Sequence, residues 1–294
     1  PVEPKLIPFG RDAKEQADIL QAIAEAVPKG EVIFDLTHGF RHLGMLGLVS
    51  AFMLERVSNL GINGLYYGAL DMIQNEVTPV LRLDGLTAIQ HWVGALDRFD
   101  QNGDYGVFAD LLIKDGVPKD KAHCLKKAAF FERNFNLRDA AQQLHTFLKT
   151  LETGLPGAGR LFQPQLAKRL SWVRQGSLHQ QQAHLAQVYL ERRDFVRATV
   201  LAWEAIITSE CERHSLNFDD YGEDGDRKQA EAQLRTRLQA KGISWKDAPQ
   251  ARIKGLRNSL AHGSPPLYPS LKQALKSQES LYKMLAADMK ASLP

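Results

Sequence analysis

The spacing of apolar residues changes character near Asp84. Before it, short runs alternate between helical and strand-like periods. In AKEQADILQAIAEAV (13–27), Ile19, Leu20, Ile23 and Val27 recur at helical spacing, and Pro28 with Gly30 ends the run. Glu31 to Leu36 is nearly continuous, apolar and β-branched, which predicts a buried parallel strand. Gly39 to Val57 predicts a helix, apolar on most faces and so covered on most sides. Ile62 to Leu70 predicts a second buried strand, Val77 to Leu83 a short third, and KLIPF (5–9) has the look of a strand before them all. This succession predicts a Rossmann-like α/β layer.

Beyond Asp84 the strand signals stop. Helices are predicted over Leu86–Phe99, Val107–Leu112, Lys121–Phe131, Leu137–Leu151 and Pro164–Val173, with Gly103, Gly116 and LPGAGR (155–160) between them. A strong pair follows, Leu178–Glu191 and Asp194–Glu212, the second with Phe195, Val196, Thr199, Val200, Trp203 and Ile206 at helical spacing. NFDDYGEDGD (217–226) predicts a mobile acidic loop. Helices resume at Arg227, at Gln250–Ala261 and at Ser270–Ser292. The fold class is therefore α/β plus all-α.

A length of 294 residues implies two or three units. The 37 basic and 34 acidic residues nearly balance, so any RNA contact must come from a local patch rather than from net charge. Two distant cysteines, Cys124 and Cys211, give neither a disulfide framework nor a metal-ligand spacing, which points to a reducing cytoplasm. No signal peptide is visible. The longest apolar stretch, Leu43 to Leu54, is too short and interrupted to span a bilayer, so no membrane partner is expected.

Two short stretches carry candidate chemistry. The first is FDLTHGFRH (34–42), where a strand gives way to a helix. Loops at the carboxyl ends of parallel strands bind ligands, and a helix start offers free N–H groups to phosphate. Thr37 could cap the helix or bond a ligand oxygen, Gly39 allows close backbone approach, and Arg41 offers a fork to an anion. Asp35 fits better as an acceptor for turn N–H groups or for a ribose hydroxyl. An ordinary capped turn explains the same residues. A metal reading of His38 and His42, four apart, lacks a third ligand.

The second is RNSLAH (257–262), at a helix end closed by Gly263 and Pro265-Pro266. Arg and His can cleave RNA without a metal: His moves the proton of the ribose 2′-hydroxyl, and Arg neutralises charge on the phosphoryl oxygens. Asn258 and His262 share a helix face, whereas Arg257 lies about 140° from His262. The site therefore needs a curled Arg or a second copy of the helix. A solvated Arg and a helix-end His are the ordinary alternative. Similar spacings occur at Arg174–His179 and Arg138–His145, without the Asn.

DLTHG (35–39), with LIPFG (6–10) and YYGAL (66–70) around it, resembles the Asp-x-Thr-His-Gly signature of the CRISPR-associated DxTHG-motif family. RNSLAH, preceded by LERRDFVRATVLAWEAII (190–207), is similar to a HEPN ribonuclease domain. The resemblance implies a Rossmann-like CARF domain over 1–85, a helical linker region over 86–175 and an α-helical HEPN domain over 176–294. It implies a metal-independent endoribonuclease of type III CRISPR defence that degrades single-stranded RNA. The activator would be a cyclic oligoadenylate, expected to be tetra-adenylate, bound across a homodimer or higher assembly, with no cofactor beyond it. By the same resemblance Thr37, His38 and Gly39, with Asp35 and Arg41 beside them, would hold the ring, and Arg257, Asn258 and His262 would cut RNA. The family's sheet opens with an N-terminal strand and a Gly-rich loop. Nothing like them precedes Pro1, so a CARF domain lacking its first strand is expected. Two alternatives follow: a non-catalytic sensor that dimerises, or a CARF domain that also degrades the ring.

Overall fold

Asp12 starts the first helix. Its carboxylate accepts the N–H of Glu15 at 2.9 Å, and α1 runs over Ala13–Ala26. The structure is a computed structural model that describes residues 2–27, 29–58 and 60–293, and it divides into two compact units, Pro1–Leu96 and Asp97–Pro294.

In the first unit, β1 (Glu31–Asp35), α2 (Arg41–Val57) and β2 (Gly61–Gly68) follow α1. β1 and β2 are parallel, so α2 is the crossover between them. β3 (Val80–Arg82) pairs antiparallel with β2, giving a small mixed sheet of order β1-β2-β3. Register slips after Val32: Val32 faces Ile62 but Ile33 faces Gly64, so Asn63 bulges, and its amide donates to Glu31 at 3.2 Å. α1 packs on α2, which packs on the sheet.

Three expectations fail here. β1, expected to be buried, holds no buried residue, and its Ile33 is 62% exposed. KLIPF forms no strand. Pro4 and Pro8 remove backbone donors and fix φ, so this stretch cannot sustain a ladder. Nor is α2 covered on most sides. It buries Gly47, Ser50, Ala51 and Leu54, but Met45, Val49 and Val57 on its other side are 69%, 54% and 74% exposed. Leu86, Ile89 and Val93 of α3 (Asp84–Asn102) are also exposed. An apolar sequence sets what a helix can bury, not what the rest of the chain brings to it.

The second unit is wholly helical. It contains the end of α3, a 3-10 turn over Tyr105–Phe108, then α4 (Ala109–Lys114), α5 (Lys119–Arg133), α6 (Leu137–Glu152) and α7 (Gly159–Leu170). A second 3-10 turn over Ser171–Arg174 leads to α8 (Leu178–Glu191) and α9 (Phe195–Arg213). α10 (Asp226–Ala240), α11 (Pro249–His262), α12 (Pro269–Ala274) and α13 (Gln278–Ser292) complete it. Helices from both the 97–175 and the 176–294 stretches pack in this one unit.

α9 is its axis. Ala198, Leu201, Ala202, Ala205, Ile206 and Ile207 are all buried, and α8, α10, α11 and α13 pack around it. Ser177 and Gln180 close a capping box at the start of α8. The predicted final helix is broken in two, because the Ser277 hydroxyl accepts the Ser280 N–H and starts α13 afresh. The helix predicted from Pro164 begins at Gly159 instead, with Pro164 inside α7. The stretch 217–226, expected to be a mobile loop, is tied down. Asp226 accepts the Asn217 N–H at 2.6 Å, Asp220 accepts the Gly222 N–H at 3.1 Å, and Arg227 donates to the Phe218 carbonyl at 3.1 Å.

One charged pair lies in the core. Glu132 of α5 and Arg169 of α7 are 2% and 3% exposed at their side chains and form an ion pair. The Tyr105 and Tyr189 hydroxyls also donate to Glu132. Burial, then the Glu132 carboxylate, pushes both phenols up, so they stay protonated donors. Removing one partner leaves a buried, uncompensated charge. Arg169→Met is expected to cost roughly 3–5 kcal/mol, and Arg169→Met with Glu132→Gln should recover much of it. Denaturant unfolding followed by tryptophan fluorescence measures both. A loss below about 1 kcal/mol for the single variant would contradict this assignment.

Candidate functional site

The turn after β1 is built by its own polar residues. The Asp35 carboxylate accepts the Thr37 N–H at 2.9 Å. Hydrogen bonds from Thr37 hold the Asp35 carboxyl below its ordinary range. The Thr37 hydroxyl does not cap α2. It accepts the Gly68 N–H at 2.7 Å and locks the turn to the end of β2. Gly68 is required there, since a Cβ would stand 2.9 Å from Thr37 Cγ2. Gly39 has φ +108°, a conformation open to glycine, and it turns the chain into the helix.

α2 therefore starts at Arg41 with Phe40 as its cap residue and with no side-chain hydrogen bond capping it. The Leu43 N–H donates to the Phe40 carbonyl at 2.8 Å, and no side chain takes the N–H groups ahead of it. His42 is not free to ligate a metal: its Nε2 donates to the Phe9 carbonyl at 2.7 Å, and its ring stacks on Phe40 with centroids 5.9 Å apart. Among the described residues no group of three or more His, Cys, Asp and Glu side chains could hold a metal ion. His38 is exposed. Thr37, Gly39 and Arg41 line an open cavity of about 300 Å³, together with Met45, Leu48, Tyr67 and Leu86; Asp35 and His38 do not line it.

The second candidate lies on α11. Gly255 lets the chain fold back over the helix, since a Cβ would meet the Tyr268 ring at 2.9 Å. Gly263 ends the helix in the left-handed conformation, φ +62°, so His262 is its last residue and exposed. Arg257 and Asn258 are half-buried, and Arg257 Nη1 donates to Asn258 Oδ1 at 3.1 Å. The structure thus brings Arg257 and Asn258 together and leaves His262 apart. No hydrogen bond joins Asn258 to His262 among the described residues.

Arg257 lines two cavities, of about 430 and 230 Å³, that share Glu204, Tyr221, Arg227 and Arg257. Arg227 pairs with Glu204 at 2.6 Å, and Arg138, in the larger cavity, pairs with Asp219 at 2.7 Å. Arg257 has no carboxylate within ion-pairing distance among the described residues. No sequence pattern marks these neighbours, which come from α6, α9, α10 and the 217–226 loop. The other Arg–His spacings are spent structurally: His179 Nδ1 meets the Glu212 carboxylate at 2.8 Å, and Arg138 is paired as above.

No family model matches the chain. It is similar to a CRISPR-associated protein. That relative, CRISPR-associated protein MJ1674 of Methanocaldococcus jannaschii, is 25% identical across 88% of this chain. The chain spans 42% of the relative's length. The likeness covers most of the chain and supports a CRISPR association for it. Among the described residues no helix is long and apolar enough to cross a membrane.

Thr37→Val keeps the shape of the side chain but leaves the Gly68 N–H without its acceptor. A loss of about 1–3 kcal/mol is expected, with Thr37→Ser close to the parent. Thermal unfolding reads the difference, and equal stability of the Val and Ser variants would show that the bond does not lock the turn.

Proposed function

We propose that the protein is a metal-independent endoribonuclease of CRISPR defence, switched on by a cyclic oligoadenylate and acting on single-stranded RNA. The α/β unit is the sensor, of CARF type, and the helical unit is the HEPN nuclease. The observation that carries this reading is the state of Arg257. It is the one arginine of the two cavities without a carboxylate partner among the described residues, it is hydrogen-bonded to Asn258, and His262 stands exposed five residues on.

The chemistry follows from those groups. Arg257 neutralises charge on the phosphoryl oxygens as the ribose 2′-oxygen attacks. A neutral His262 takes the 2′-hydroxyl proton, or a protonated one gives its proton to the leaving 5′-oxygen as the P–O bond breaks. Asn258 fixes the guanidinium. One α11 points Arg257 and His262 in different directions, so two copies assemble the site. The uncovered apolar side of α2, with Met45 and Val49, supports pairing of the sensor units.

On the sensor side, Thr37 and Asp35 shape the turn rather than contact the ring. The uncapped start of α2, Gly39 and Arg41 are then the groups left to meet its phosphates, and His38 is exposed beside them. The CRISPR-associated relative and the DLTHG sequence support this assignment.

The test is RNA cleavage in excess chelator, with cyclic tri-, tetra- or hexa-adenylate added. Cleavage is expected to need one ring, with tetra-adenylate the expected one, and to fall by roughly a hundredfold or more in His262→Ala, the scale of a lost general acid or base. Cleavage untouched by that substitution removes the RNSLAH assignment. Ring binding without any cleavage selects a sensor that only dimerises.

A further inference from the structure

We infer that the two cavities beside Arg257 are stacking subsites for unpaired bases, with Tyr221 as the platform, so that the site selects single-stranded RNA by base stacking. This rests on the ribonuclease reading above and extends it to substrate recognition.

The 217–226 loop carries two aromatic rings, each backed by an arginine. The Arg227 guanidinium lies 4.6 Å from the Tyr221 ring centroid, and the Arg138 guanidinium lies 4.4 Å from that of Phe218. Each arginine is in turn held by a carboxylate, Glu204 at 2.6 Å and Asp219 at 2.7 Å. Their charges are thus neutralised and their planes fixed. This is an arrangement for stacking, not for phosphate capture. Arg257 in both cavities and Lys228 in the smaller one, without such partners among the described residues, are the cations left to meet a phosphate.

Tyr221 stands on the walls of both cavities and is 72% exposed, although it is a large ring backed by a fixed guanidinium. A stacked arginine and aromatic ring form half of a base sandwich, and an unpaired base completes it. The smaller cavity, about 230 Å³, holds the volume of several waters and so a flat heterocycle. Bases already stacked in a duplex cannot enter. Two subsites either side of Arg257 would place the phosphate between two such bases against its guanidinium.

The test uses the full chain carrying His262→Ala, so that bound RNA is not consumed. Fluorescence anisotropy measures its affinity for a short single-stranded RNA and for the same sequence as a duplex. Single strands are expected to bind more tightly than the duplex. Adding Tyr221→Ala should weaken single-strand binding roughly tenfold, the scale of one lost stack, while Tyr221→Phe stays near the parent. Equal binding by the Ala variant, duplex binding as tight as single-strand binding, or no RNA binding by the parent each overturns the inference. Cleavage with His262 intact is read separately. RNA that binds through Tyr221 but is never cut keeps the subsites and removes the ribonuclease reading.

Discussion

Everything proposed for the helical unit depends on how α11 is held against α9. An α-helix turns 100° per residue, so residues five apart cannot share a face. Ala251, Ile253, Gly255, Leu256 and Ser259 of α11 are buried, which fixes its rotation. That rotation puts Arg257 into the walls of two cavities and leaves His262 at the open end. Neither side chain can change place without unburying the core of α11. The geometry of RNSLAH is therefore imposed by packing, and a second copy of the helix is the proposed way to bring both side chains to one phosphate.

The turn at 35–39 obeys a different constraint, local and backbone-driven. The Asp35 carboxylate and the Thr37 hydroxyl are consumed in building it, one accepting an N–H two residues on and the other locking β2, while Gly39 supplies the positive φ. Residues that look like ligands in a motif can instead be the frame that leaves other groups free. Here the freed groups are the uncapped N–H groups of α2 and the side chain of Arg41. The sheet behind them is small and mixed, with the bulge at Asn63 adjusting β2 against β1.

Much of this was legible in the sequence because it depends on local signals. Gly263 ends α11 as its position predicts, and apolar spacing predicts α8 and α9 nearly to the residue, whereas Pro28 after α1 lies outside the described residues. The rest depends on contacts that no apolar spacing encodes, most of them long-range. Nothing near Ser277 distinguishes a cap from a helical serine until its hydroxyl is seen on Ser280. The apolar sequence of α2 gave no sign that Met45 and Val49 would stay exposed. The acidic 217–226 stretch carries no sequence signal of order, because its ties are turn bonds within 217–227 and Arg138, which pairs with Asp219 from far away in the sequence. The same loop supplies Tyr221 and Phe218 to the site, and no spacing rule connects them to Arg257. The buried network of Glu132, Arg169, Tyr105 and Tyr189 has no sequence signal for the same reason, with its four members on separate elements.

The central claim is that two copies of the chain share one cleavage site, Arg257 and His262 acting together only across that pairing. Mixing Arg257→Ala protein with His262→Ala protein tests it most directly. Each alone should be inactive on single-stranded RNA in the presence of the activating cyclic oligoadenylate. After exchange of subunits, the mixture should regain part of the parent activity, because some pairs then hold one intact Arg257 opposite one intact His262. A mixture that exchanges subunits yet stays as inactive as its components would contradict the account.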